Sequence, residues 1–155
     1  MRNIGRRTAA LGAVVLACSL AFASVALGAL PGAPSLVAPK HGVHLRPGHI
    51  TLIVHDTAVI KGFSVYVQIT KHRKVNRFGE LVKCNNVSKG CDFLKLKRRK
   101  GHAGQWIYTS DPNVSFPGWW ASTPGTYYWQ ADHVNCSVGA HGCSVISKIG
   151  SFHVG

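Results

Sequence analysis

The clearest signal in the chain is alternation. Ile50, Leu52 and Val54 fall on one side of His49–His55, and Phe63, Val65, Val67 and Ile69 on one side of Phe63–Thr70, the period-two pattern of half-buried strands. Tyr127–His133 repeats it, with Tyr127, Trp129 and Ala131 expected inward and Tyr128, Gln130 and Asp132 outward. Shorter extended stretches are expected at Leu36-Val37, Glu80–Lys83, Phe93–Leu96 and Gln105–Thr109, with a last one over Val145–Val154. Turn residues separate them, and no amphipathic helix or internal repeat is visible after the first 28 residues. About seven short strands of this kind predict an all-β, antiparallel sandwich.

The N-terminus follows a different pattern. Arg2, Arg6 and Arg7 precede an almost unbroken apolar run from Ala9 to Leu27, closed by the small residues of Ala26-Leu-Gly-Ala29, which is the layout of a cleaved secretory signal. A membrane anchor is the alternative, because the run approaches the roughly 20 apolar residues of a spanning helix. Its Ala, Gly and Ser content and the lack of stop-transfer charges favour cleavage near Gly28 or Ala29. Val15-Leu-Ala-Cys18 partly resembles a lipoprotein box, yet apolar sequence continues past Cys18, and Arg6-Arg7 matches a twin-arginine signal only in that dipeptide. The expected organisation is a signal-peptide helix over 1–28, a Pro/Gly-rich lead-in over 29–35 and one domain over 36–155. Cleavage leaves 127 residues, enough for a single core, and no further membrane-spanning segment. The protein is expected to be secreted or held in the cell envelope.

An exported chain changes how the cysteines read. Besides Cys18 there are Cys84, Cys91, Cys136 and Cys143, each pair separated by six residues rich in Gly, Ser and Asn. An even count in an oxidising compartment points to disulfides. Of the three connectivities, local pairing of Cys84 with Cys91 and of Cys136 with Cys143 is favoured; each would close a small loop and add about 2.5 kcal/mol. A four-thiolate zinc site is the alternative, and it lacks the tight ligand spacing usual for zinc.

Charge sets the expected partner. With Arg2, Arg6 and Arg7 gone, fifteen Lys and Arg face five acids, a formal charge of +10, which suits anionic partners but also serves solubility. A long basic connection, 71–100, contains the first cysteine pair. It ends in the densest charge of the chain, Lys95, Lys97, Arg98, Arg99 and Lys100, extended by His102. These five cations are the candidate anion-binding residues, since Arg forks grip phosphate or sulfate and Lys adds field strength. A solvated loop protecting an edge strand is the plainer account. No aromatics are interleaved as in single-strand nucleic-acid sites, so sequence-specific nucleic-acid recognition is not expected.

Three short segments carry a family resemblance: Ala38-Pro-Lys-His-Gly42 before the first long strand, Pro124-Gly-Thr-Tyr-Tyr-Trp129, and Ser151-Phe-His-Val154. Together they resemble the fibronectin type III-like and immunoglobulin-like domains of secreted bacterial proteins, over roughly residues 36–155. The resemblance implies a binding module without a built-in catalytic centre, with Tyr127 as a corner tyrosine whose hydroxyl bonds to backbone just upstream and Trp129 as a structural residue. The cysteine loops and the basic insert depart from that pattern.

Other chemistry finds little support. The acids Asp56, Glu80, Asp92, Asp111 and Asp132 show no spacing that suggests a carboxylate pair, and no nucleophile elbow or phosphate loop is present. No catalytic residue and no cofactor are therefore expected. The nine histidines are scattered and read as solvated surface residues, His55 and His153 at outward strand positions, so no metal site is expected either. Trp119 and Trp120 are candidate aromatic contacts: if extended, one of the two would be buried and the other free to meet a ligand. Asn86, Asn113 and Asn135 fit the N-glycosylation pattern and read equally as turn residues. The expectation is a non-catalytic exported domain that binds an anionic envelope polymer or a surface protein through the basic patch and the tryptophan loop. The alternatives are a structural envelope protein and a cationic secreted effector.

Overall fold

A computed structural model describes residues 32–57, 64–111, 113, 117–134 and 144–155. The signal segment, Phe63, the pair Cys136 and Cys143, and Asn135 lie outside the described residues. The described chain is all-β, with ten strands in two sheets. These are β1 (Ser35–Ala38), β2 (Val43–Leu45), β3 (Thr51–His55), β4 (Ser64–Thr70), β5 (Cys91–Lys95), β6 (Lys97–Arg98), β7 (Gln105–Thr109), β8 (Gly125–Val134), β9 (Ser144–Ile146) and β10 (Gly150–Val154). One sheet has the order β1-β3-β7-β6; the other runs β2-β10-β8-β4-β5, with β9 paired to β8. All pairings are antiparallel except that of β2 with β10.

Register shows which alternations bury. In the larger sheet Val65 pairs with His133, Val67 with Ala131 and Ile69 with Trp129, and these side chains face Leu52 and Val54 of the smaller sheet across a common core. Trp106, Trp120, Tyr127, Phe152 and Val154 complete that core. Burial of such large rings is the main favourable term of the fold. The last expected strand is split. Ser147 turns inward instead, its hydroxyl accepting from Ala131 N at 2.9 Å, and the chain resumes as β10 at Gly150. Only glycine fits there: an added Cβ would lie 2.6 Å from Trp129 Nε1 and 2.8 Å from Leu36 Cδ1.

Gln130 and Asp132 lie on the outer face, as alternation places them, but they do not meet water, because the segment between β4 and β5 covers that face. Gln68 and Gln130 are cross-strand partners on the outer face of the larger sheet, and both are buried. Gln68 Oε1 accepts from Cys84 N at 3.1 Å while its Nε2 donates to Cys84 O at 3.0 Å and Asp92 O at 2.9 Å. Gln130 Oε1 accepts from Leu81 N at 2.8 Å, and its Nε2 donates to Gly79 O at 3.2 Å and Ser147 O at 2.9 Å. Two carboxamides thus use donors and acceptors together to hold the insert by its backbone. Asp132 is covered by Lys83, 2.5 Å away, and Leu81 is buried beneath the loop. The expected strand at Glu80–Lys83 is absent; a single bridge between Val75 and Leu81 stands in its place.

A Cys84–Cys91 disulfide closes the base of the insert, with Cα atoms 5.8 Å apart. Within that loop Asn86 caps the short 3₁₀ turn Val87–Lys89, its side chain accepting from Lys89 N at 3.2 Å.

Candidate anion-binding cleft

The basic run does not form one patch, because the chain changes sheets in the middle of it. β5 ends at Lys95, Leu96 is buried in the core with its N–H donating to Val65 O at 2.9 Å, and β6 begins in the other sheet at Lys97. Lys95 therefore stays on the outer face of the larger sheet, 6.0 Å over the Tyr66 ring, which stacks on Phe93 at 5.1 Å. Lys97 pairs with Ile107 and Arg98 with Trp106, so alternation sends the two side chains to opposite faces of the smaller sheet. Lys100 is exposed in the turn that follows.

Arg98 and Arg99 come together with His102, which extends the charge run, and with residues that the charge pattern did not single out. They line a cleft of about 430 Å³ with Asp56, Gly101, His102, Gly104, Gln105 and Trp106. The turn is closed by Arg99 N donating to Gln105 O at 2.8 Å, and Gly104, at φ +69°, delivers its carbonyl to Asp56 N at 2.7 Å. That last bond ties the β6–β7 turn to the end of β3. The Arg98 guanidinium lies 5.2 Å over the Trp106 ring, and Arg99 Nη1 donates to Gln105 Oε1 at 2.9 Å. Each guanidinium is thus oriented by a neighbour while retaining further N–H donors, the arrangement that favours planar, forked recognition of an oxyanion.

Asp56, where β3 meets the cleft, is joined to β8. Its Oδ2 lies 2.7 Å from His133 Nδ1, and both side chains are fully buried. His133 therefore departs from the expectation of surface histidines. The signal was present: Asp56 continues the inward phase of Leu52 and Val54, and His133 that of Trp129 and Ala131.

Trp119 and Trp120 also depart from expectation. They form a 3₁₀ turn with Ala121 rather than a strand, and all three residues are buried. In a helix of three residues per turn, neighbours need not point to opposite sides. Trp120 packs edge-on to Phe152 at 5.7 Å, and Trp119, 7 % exposed, packs edge-on to Tyr127 at 5.8 Å under the Lys71 ammonium. Neither offers a platform for a ligand, so the contact role is withdrawn for both. Tyr127 donates its hydroxyl proton to Thr123 O at 2.7 Å, and burial pushes its pKa up to about 12. Trp129 is fully buried.

A second inward acid sits on β5. Asp92 is buried and accepts from Gly118 N at 2.9 Å; desolvation raises its pKa, partly offset by the backbone N–H groups of Gly118 and Phe93 and by the Trp120 side chain. A carboxyl with a raised native pKa binds its proton more tightly folded than unfolded, so its favourable contribution is complete below the ordinary aspartate range and is lost as pH rises through the native value. Asp92→Asn keeps the acceptor and removes the charge. It is expected to leave stability at neutral pH unchanged or higher and to flatten this part of the pH dependence, measured by thermal unfolding from about pH 3 to about pH 7. A loss of stability at neutral pH would contradict this assignment.

Among the described residues no group of three or more His, Cys, Asp or Glu side chains is placed to hold a metal ion. No known family model and no curated protein matches the chain. Among solved structures it is similar to a crystal structure titled an engineered protein from a structural genomics consortium, at 18 % identity and a TM-score of 0.43. That match covers 81 % of this chain and 21 % of the other, so the chain spans about a fifth of that protein's length.

Proposed function

We propose that this is an exported, non-catalytic binding domain that docks an anionic envelope polymer through the Arg98–Arg99 cleft. The observation that carries this reading is the fixed orientation of two adjacent guanidinium groups over one concave surface, Arg98 by Trp106 and Arg99 by Gln105. Lys97 and Lys100, exposed on either side of the two arginines, add to the positive field. The fold reading that accompanies it is a fibronectin type III-like or immunoglobulin-like sandwich. Its support is a four-stranded and a larger sheet sharing one core, together with the Tyr127 hydroxyl on the Thr123 carbonyl just before β8. Export rests on the Arg-rich, apolar and small-residue order of the first 28 residues, with the Cys84–Cys91 bond in keeping with an oxidising compartment.

The test is a salt titration of binding to isolated cell envelopes, beside a variant with Lys97, Arg98, Arg99 and Lys100 changed to Ser. Affinity is expected to fall steeply with added salt and to drop by at least about tenfold in the variant. Binding that ignores both salt and the substitutions would overturn the reading, and no binding at all would favour the purely structural role.

A further inference from the structure

The exposed large apolar side chains are unevenly placed. Among the described residues Val75, Phe78, Val82 and Val87 belong to the insert between β4 and β5, with Val37 the one outside it. Three of them mark a single hairpin-like turn. Val82 N donates to Lys74 O at 3.0 Å, Asn76 N to Glu80 O at 2.8 Å, and Phe78 stands at the tip with 66 % of its surface in water. Val75 and Val82 are each about half exposed on its two arms.

This display is ordered. Asn76 Oδ1 accepts from Phe78 N at 2.8 Å and from Glu80 N at 3.1 Å, while its Nδ2 donates to Glu80 Oε2 at 2.7 Å. The one acid of residues 71–90 is thereby drawn into the turn. The exposed cations Arg73, Lys74 and Arg77 surround the apolar tip, with the Arg77 guanidinium 4.7 Å over the Phe78 ring. At the base, Gln68, Gln130 and the disulfide hold the loop to the sheet.

A soluble polyanion offers nothing to Phe78, Val75 or Val82. A three-residue tip is also far smaller than the roughly 800 Å² per side of a specific protein interface. An anionic bilayer satisfies both features: its phosphates meet the cations, and its apolar layer begins roughly 5–10 Å below the headgroups, within reach of a projecting aromatic ring. We infer that the Arg73–Val82 turn is a membrane-docking tip that seats Phe78 in the headgroup boundary of an anionic lipid surface. It is separate from the Arg98–Arg99 cleft in residues and in partner.

The experiment measures partition of the purified protein onto vesicles of mixed phosphatidylglycerol and phosphatidylcholine, onto pure phosphatidylcholine, and onto soluble polyphosphate. Every variant carries the same N-terminus, so differences between variants report the tip alone. Phe78→Ser is expected to weaken anionic-vesicle binding by about tenfold and to leave polyphosphate binding unchanged. The triple change Arg73→Ser, Lys74→Ser and Arg77→Ser should lose about fivefold per charge, whereas the Lys97–Lys100 variant should keep most of its vesicle binding. Phe78 is exposed, so these losses do not depend on unfolding. Equal partition of wild type and Phe78→Ser, indifference to phosphatidylglycerol, or equal losses from the two charge variants would each overturn the inference. Binding to whole envelopes but not to protein-free vesicles would overturn it in favour of a protein receptor.

Discussion

Replacing Trp120 with alanine is expected to lower stability by about 3–5 kcal/mol, a drop of about 15 °C in melting temperature for a domain of this size. Trp120 is fully buried, edge-on to Phe152 and 6.4 Å from the Tyr108 ring, and its removal opens a cavity that neighbours held in β7 and β10 cannot collapse to fill. Trp120→Phe should recover part of the loss. Thermal unfolding checks the size of the effect, and envelope binding measured well below the melting temperature checks its meaning. A variant that melts within about 3 °C of wild type yet fails to bind would return Trp120 to the role of ligand contact.

Breaking the Asp56–His133 pair is the second large effect. Asp56→Ala and His133→Ala are each expected to cost about 3 kcal/mol, because either change deprives a fully buried polar side chain of the partner 2.7 Å away. The double replacement by leucine should cost less than the two single losses together, since it removes both members of the buried pair at once and leaves neither facing an apolar partner. A double-mutant cycle built from the two alanine singles and the Asp56→Ala, His133→Ala double, followed by denaturant unfolding, gives the coupling directly. Single losses below about 1 kcal/mol, or strict additivity, would show that the pair is not energetically linked.

Alternation was the part of the sequence that carried structure. It located β3, β4, β7 and β8 because one face of each strand meets the shared core, and period-two burial is what a core face imposes. Extended to its ends, the same rule would have put Asp56 and His133 inside, but their polarity argues for the surface until a partner is known. That partner lies on a different sheet, and strand pairing across the core is not written in either segment. The outward position of Gln130 did not bring exposure, for a related reason. Gln68 and Gln130 occupy the face that would meet water in a bare sheet, and only the long insert folding back over them turns polarity into burial. β2 and β6 were missed because strands of three and two residues are too short to alternate.

The charge run shows how spacing misleads about a site. Lys95 to Lys100 read as one cluster, but the buried Leu96 passes the chain from one sheet to the other and sends Lys95 to a different surface from Arg98. What distinguishes the two arginines is the Trp106 ring, eight positions beyond Arg98, and the Gln105 carboxamide, six beyond Arg99, both brought opposite by a turn. A density of charge in sequence predicted a field; the strand crossing decided where forked recognition is possible.

The manner in which the insert is held carries a consequence for how this surface can change. Gln68 and Gln130 hold peptide groups at Gly79, Leu81 and Cys84, which are fixed in turn by a positive φ, a buried side chain and the disulfide, and they make no hydrogen bond to the side chains of Arg77 or Phe78. The scaffold therefore checks the path and length of the loop while leaving the display at its tip open. Exposed residues such as Arg77 and Phe78 can therefore be exchanged, by evolution or by design, without renegotiating the fold, because the support beneath them does not depend on their side chains.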